Sequence, residues 1–219
     1  MKYDNTSIST YVINLPERTD RRINIENEFR GREEFSLQII EATKHRIGSV
    51  GLWMSIRKIV KYVALNNFDD VIIICEDDHV FTEFYERDLF ISQIIQASKI
   101  GSQILYGGVH GFGTAVPIKK GLYWVDWSMG TQFIVIYRHA FETILNSHFG
   151  KKDAADLFLS THLTNKTLLF PFISRQKEFG YSDVTSINGI EGQMSSRTQY
   201  AEYRLGRCSK IVQDYNLLH

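Results

Sequence analysis

Val71-Ile72-Ile73-Ile74-Cys75-Glu76-Asp77-Asp78 is the stretch on which the fold turns. Its first five residues are apolar and mostly β-branched, and a run this short reads as a strand covered on both faces. The three carboxylates that follow must then stand at the carboxyl edge of a sheet, where open α/β sheets bind their ligands. Carboxylates packed together repel one another unless a cation joins them, and hard cations such as Mg²⁺ or Mn²⁺ take oxygen ligands. A metal-diphosphate site is the sharper reading. The plainer one is a solvated acidic turn, because acidic residues also favour turns and helix starts.

Working outward, residues 8–15 read as a strand closed by Pro16. Thr19 or Asp20 can cap a helix running to about residue 30, with Ile25 and Phe29 one turn apart on its apolar face. Residues 35–42 form a second apolar segment. Beyond Ser49, Leu52, Ile56, Ile59, Val60 and Val63 recur at helical spacing, while Arg57, Lys58 and Lys61 take the other face. Residues 83–99 suggest a third helix. Strand, helix, strand, helix, strand predicts a parallel sheet with right-handed crossovers.

The second half is less regular. Residues 103–106 are short and apolar, and the glycine-rich residues 107–113 do not close a Gly-x-Gly-x-x-Gly between strand and helix. They read as a mobile loop or hairpin tip. Residues 131–137 alternate as a strand and 139–147 continue as a helix. There is no internal repeat, low-complexity tract or linker. The expectation is one unit: residues 1–190 as the principal domain and residues 191–219 as a helical arm appended to it.

At 219 residues the chain is long enough for a proper core, and 43% hydrophobic with 23% charged residues marks a globular protein. Lysine plus arginine and aspartate plus glutamate balance at 25 each. That gives no support for a nucleic-acid binder, which carries a basic excess. Cys75 falls within the apolar strand, so pairing with Cys208 is not expected and a reducing compartment fits better. No run approaches the ~20 apolar residues of a membrane helix. A cytoplasmic location is expected, with peripheral contact at the inner face of a membrane left open.

The loop after the opening strand holds Arg18, Arg21 and Arg22 at a strand end and helix start. Arginine forks match phosphate oxygens, and a helix amino terminus adds a favourable dipole. In a parallel sheet this loop and Glu76-Asp77-Asp78 open on the same edge, so the two could clamp a diphosphate. A solvated helix face is the competing account.

Residues 11–22, Tyr-Val-Ile-Asn-Leu-Pro-Glu-Arg-Thr-Asp-Arg-Arg, are similar to the opening motif of glycosyltransferase family 25, the lipopolysaccharide-biosynthesis transferases. Residues 72–80, centred on Glu-Asp-Asp, resemble that family's metal-binding motif, and residues 51–55 a worn version of its helix motif. Residues 130–145 and 170–183 resemble later segments. The resemblance implies a GT-A type fold, a Rossmann-like mixed α/β sheet flanked by helices, in a single domain. It also implies a nucleotide-sugar donor such as a UDP-hexose, Mn²⁺ or Mg²⁺, inverting transfer, and a glycan or lipid-linked glycan acceptor. On that mapping Asp78 is the main metal ligand, supported by Glu76 and Asp77, which otherwise contact the donor ribose. Leu15, Arg18 and Arg22 line the nucleotide pocket, with Arg21 beside them. Asp156 aligns with an acidic residue of the family and becomes the base, with Asp153 as runner-up; both also suit a helix's first turn. The family's histidine after the serine of the middle motif is replaced here by Ile56.

Further ligands are sought among His79, His110, His148 and His162, of which His162 is chosen because it follows the candidate base. Tyr123, Trp124 and Trp127 form an aromatic group able to stack on an acceptor sugar, Trp124 and Trp127 above all, or equally to fill a core. Ser182 and Asp183 either cap a turn or reach the donor. Arg197, Arg204, Arg207 and Lys210 make the last stretch mildly basic, which suits anionic lipid or a solvated helix. Two alternatives stand beside the transferase. A receiver-type phosphotransfer domain places acids after its first strand, where this chain has Asn14 and arginines. A non-catalytic relative that binds a nucleotide sugar or a partner is the other.

Overall fold

The computed structural model describes residues 3–66, 69–180 and 192–215. Ser182, Asp183 and the boundary at residue 190 lie outside the described residues. The first half alternates as β1 (Ile8–Asn14), α1 (Thr19–Phe29), β2 (Phe35–Glu41), α2 (Gly48–Asn66) and β3 (Val71–Glu76). β4 (His79–Phe81), α3 (Arg87–Lys99), β5 (Ile104–Tyr106), β6 (Gly111–Phe112), β7 (Ala115–Lys119), β8 (Leu122–Val125), β9 (Ser128–Met129) and β10 (Phe133–Tyr137) follow. A 3₁₀ turn at Arg138–Ala140 leads into α4 (Phe141–Asn146), then α5 (Ala155–His162), β11 (Lys166–Leu169), β12 (Ser174–Gln176) and α6 (Gln193–Asp214).

Eight strands form one mixed sheet in the order β2-β1-β3-β10-β5-β11-β8-β7. The expected parallel arrangement holds for β2-β1-β3. Beyond β3 the directions alternate: β10 runs antiparallel to both β3 and β5, while β11 is again parallel to β5, so the sheet is the mixed one that the family resemblance implied. Strand alternation sorts the core into two layers. Tyr11, Ile13, Ile72 and Ile74 meet α2, α4, α5 and α6 through Ile56, Val60, Phe141, Phe158 and Leu205. Val12, Ile73 and Cys75 face α1 and α3 through Ile25, Phe29, Phe90 and Ile94. Both faces of β3 are thereby covered, which is why its sequence is continuously apolar.

Several expectations change in detail. α1 begins at Thr19, so Arg18, and neither Thr19 nor Asp20, holds the cap position, and Arg18 makes no side-chain cap hydrogen bond. α3 begins at Arg87 rather than residue 83, because the Glu86 side chain accepts from the Asp88 and Leu89 backbone N–H groups at 3.0 and 2.9 Å. The segment expected as a mobile loop or hairpin tip is packed instead, with Gly111 and Phe112 paired to Met129 and Ser128. Gly107, Gly108, Val109 and His110 are buried, and a Cβ on Gly108 would lie 2.1 Å from the Ser174 carbonyl oxygen. Those glycines serve close backbone approach. The final helix buries Met194, Thr198, Ala201 and Leu205, the last two within the sheet's core layer. Among the described residues no helix is long and apolar enough to cross a membrane.

Candidate active site

The carboxyl ends of β1, β2 and β3 open into a cavity of about 550 Å³. Ile13, Leu15, Ala42 and Leu52 give it apolar walls; Arg18, Lys44 and Arg46 bring positive charge, and Glu76 and Asp77 close one side. Of the residues predicted to hold a donor, Leu15, Arg18, Glu76 and Asp77 therefore line a common space. Arg22 does not: it pairs with Glu26 at 3.0 Å on the exposed face of α1. The loop carrying Lys44, His45 and Arg46 was missed. Its signal was available, since β2 is parallel to β1 and its following loop opens on the same edge.

Asp77 is a buried tie between strand ends. It accepts from Asn14 Nδ2 at 2.8 Å and Arg21 Nη1 at 3.2 Å, with Arg18 at 3.9 Å. Asp78 accepts from Arg21 Nη1 at 3.1 Å and Gln176 Nε2 at 2.6 Å, both on Oδ2. Its Oδ1 is buried and has no hydrogen-bond partner among the described residues. Antiparallel β10 starts where β3 ends, and this delivers a second group of residues: Glu76 N–H donates to the Gln132 carbonyl at 3.0 Å, and Thr131 Oγ1 donates to Glu76 Oε1 at 2.6 Å. Asp156, in the first turn of α5, accepts from Gly130 N–H at 3.2 Å and Leu157 N–H at 2.8 Å.

Burial pushes the carboxyl groups of Glu76, Asp78 and Asp156 above the usual carboxylate range. The neighbouring charges of Asp78, Asp77 and Asp156 raise Glu76 further, against the Thr131 hydrogen bond. For Asp78 the Gln176 hydrogen bond and the Arg21 charge oppose the rise. Glu76 thus feels three neighbouring carboxylates and is held by a neutral hydroxyl, which is the environment a cation would relieve.

Glu76 and Asp78 fit a divalent ion of the kind that takes one or two carboxylates and is completed by substrate phosphate and water. The unpartnered Asp78 Oδ1 is the donor atom that supports this fit. A dedicated cage is another matter: no group of three or more His, Cys, Asp or Glu among the described residues could hold a metal. His162 accordingly does not join Glu76 and Asp78. It lies six residues beyond Asp156 along α5, about 9 Å of helical rise, exposed, with Nδ1 2.9 Å from the Phe158 carbonyl oxygen. His79 is enclosed by Phe29, Phe81 and Phe133 and bonded to Ser174 Oγ at 2.7 Å. His110 contacts Thr198 Oγ1 at 2.9 Å, and His148 is exposed.

Asp153 accepts from Gly150 N–H at 2.7 Å in the turn before α5. Trp127, 40% exposed, precedes Ser128, whose N–H donates to Ser160 Oγ on α5 at 2.8 Å, so Trp127 borders the helix that carries Asp156. Trp124 stands on β8 between Tyr123 and Val125, which face the α5 side. It alternates to the other face with Leu122, and the sheet separates it from Asp156.

No protein-family model matches the chain, and no curated protein matches it. Among solved structures it is similar to A197 from STIV, with a TM-score of 0.50 and 14% identity, covering 75% of this chain and 82% of that one. It is also similar to UDP-glucose pyrophosphorylase complexed with UDP-glucose, with a TM-score of 0.46, 11% identity and coverage of 88% and 80%. HddC from Yersinia pseudotuberculosis gives 0.43, 12%, 91% and 79%. At 14% identity the first likeness is one of fold alone; the other two, with scores below 0.5, are looser.

Proposed function

We propose that this chain is a glycosyltransferase that takes a nucleotide-sugar donor with Mn²⁺ or Mg²⁺ and passes the sugar to a hydroxyl of a glycan or lipid-linked glycan. The observation that carries the reading is the junction of two features. A cavity of nucleotide size, part apolar and part cationic, ends on Glu76 and Asp77, where Glu76 meets the charges of buried Asp78 and half-buried Asp156. The family resemblance of residues 11–22 and 72–80 points the same way.

In this reading the apolar walls Ile13, Leu15 and Leu52 take the base, while Arg18 and Lys44 face the phosphates. A bound divalent ion would supply charge stabilisation to the departing nucleoside diphosphate. Arg21 keeps Asp78 and Asp77 aligned through its paired hydrogen bonds. Asp156 takes the acceptor hydroxyl's proton as the new oxygen–carbon bond forms and the carbon–oxygen bond to phosphate breaks. Its burial raises its proton affinity toward that of a useful base, and the Gly130 and Leu157 N–H groups fix its orientation. Residues 1–190 would carry this chemistry in the cytoplasm, with the helical arm as part of the same unit.

The test is calorimetric binding of UDP with Mn²⁺ and with EDTA, followed by release of UDP from a panel of UDP-sugars. Mn²⁺-dependent binding and slow release from one donor are expected. Binding without turnover, even with acceptor glycans supplied, would favour the non-catalytic relative. Failure to bind UDP or any nucleotide sugar would remove the reading.

A further inference from the structure

We propose that Gln132 reads the donor sugar, its side-chain carbonyl accepting a hydrogen bond from a sugar hydroxyl; this rests on the nucleotide-sugar reading above. Gln132 is 1% exposed and precedes β10 at the carboxyl edge of β3. Its Nε2 donates to the Gly108 carbonyl at 2.9 Å. A carbonyl partner accepts only, so this contact decides which end of the amide is nitrogen. Gly108 is itself wedged against the Ser174 backbone, where no Cβ fits, and the amide is therefore held in one orientation.

That orientation leaves Gln132 Oε1 buried and without a hydrogen-bond partner among the described residues. A second amide at the site makes the contrast. Gln176 gives its Nε2 to Asp78 at 2.6 Å. Gln176 holds a carboxylate of the site, whereas Gln132 has a buried acceptor to spare. A buried acceptor left unmet is costly, so native structures supply it with a partner.

The place of that oxygen indicates what the partner is. A Cβ on Gly130 would come within 2.7 Å of Gln132 Oε1, and the glycine's φ of +122° already disfavours any side chain there. Gly130 N–H is the donor that holds Asp156, and the Gln132 backbone carbonyl is the acceptor for Glu76 N–H. The free oxygen thus belongs to the same few residues that carry the candidate base on one side and the candidate metal-binding carboxylates on the other. A sugar spanning these groups presents hydroxyls, and a fixed acceptor distinguishes a hydroxyl that points toward it from its epimer.

The experiment is titration of the wild type, Gln132→Met and Gln132→Asn with UDP, UDP-glucose and UDP-galactose in Mn²⁺, each compared by melting temperature. Methionine keeps the length and lacks the acceptor; asparagine keeps the amide but withdraws it by a methylene. UDP alone should bind all three proteins equally, which also serves as the control for folding. The donor preferred by the wild type should bind each variant about tenfold more weakly, and the preference between the two epimeric donors should collapse. An unchanged ratio between the donors, with UDP binding intact, would overturn the role of Gln132 alone. Equal loss of UDP and UDP-sugar binding would also overturn it, as a purely structural effect. A wild type that binds none of the three would take the nucleotide-sugar reading down with it.

Discussion

Asp78 is a buried carboxylate and Asp156 a half-buried one, and their partners differ. Asp156 is held by two backbone N–H groups and, among the described residues, by no cation, so replacing it removes a proton acceptor and leaves the cavity intact. Asp156→Asn should lower turnover by at least ~100-fold with UDP binding unchanged, measured by UDP release and calorimetry in parallel. Asp78 is gripped by Arg21 and Gln176 through one oxygen and offers the other. Asp78→Ala should abolish the Mn²⁺-dependent part of UDP binding without unfolding the chain; full metal-dependent binding in that variant would refute the assignment. Both residues stand out in the sequence as candidates, one as the end of an apolar run and the other through a family resemblance. Gln132 was not. A glutamine leading into a strand has no signature of its own, and its free oxygen exists only because Gly108, 24 positions away, claims its nitrogen.

Elements were legible where burial imposed a pattern and illegible where pairing came from afar. β3 announces itself because both its faces are covered, and α2 because one face is. The start of α3 was displaced because acidic residues at 83 and 86 look alike in sequence, while only Glu86 reaches back to the open N–H groups. Glu86→Ala should therefore cost about 1 kcal/mol, read as a lower denaturant midpoint at unchanged m-value, whereas Glu83→Ala should be nearly neutral. The glycine segment after β5 read as mobile because its partners, β9 and the Ser174 backbone, lie far along the chain. A short window cannot show that a glycine is there to let another backbone in.

At the scale of the whole molecule, stability should respond to acid through buried histidine. Burial and the nearby Arg32 charge push His79 down to about 3, against an ordinary value near 6.5. A depressed histidine stabilises the fold fully above its unfolded value and loses that contribution as pH falls toward the folded one. Between about pH 6 and pH 4 His79 should contribute a loss of roughly 1.4 kcal/mol per pH unit. Denaturant titrations across that window should show a shallower loss in His79→Gln; parallel curves would refute the claim. The layout of the sheet carries a different implication, about inheritance. Every described residue lining the cavity lies between Ile13 and Asp77, whereas Gly130 and Gln132 arrive from the segment leading into the reversed strand β10, and Asp156 from the helix α5. On the proposed function, donor binding and sugar transfer would thus be encoded in separate stretches of the gene. Under that proposal, recombination or drift in the later stretch would alter which molecules react while the earlier stretch went on holding the same handle.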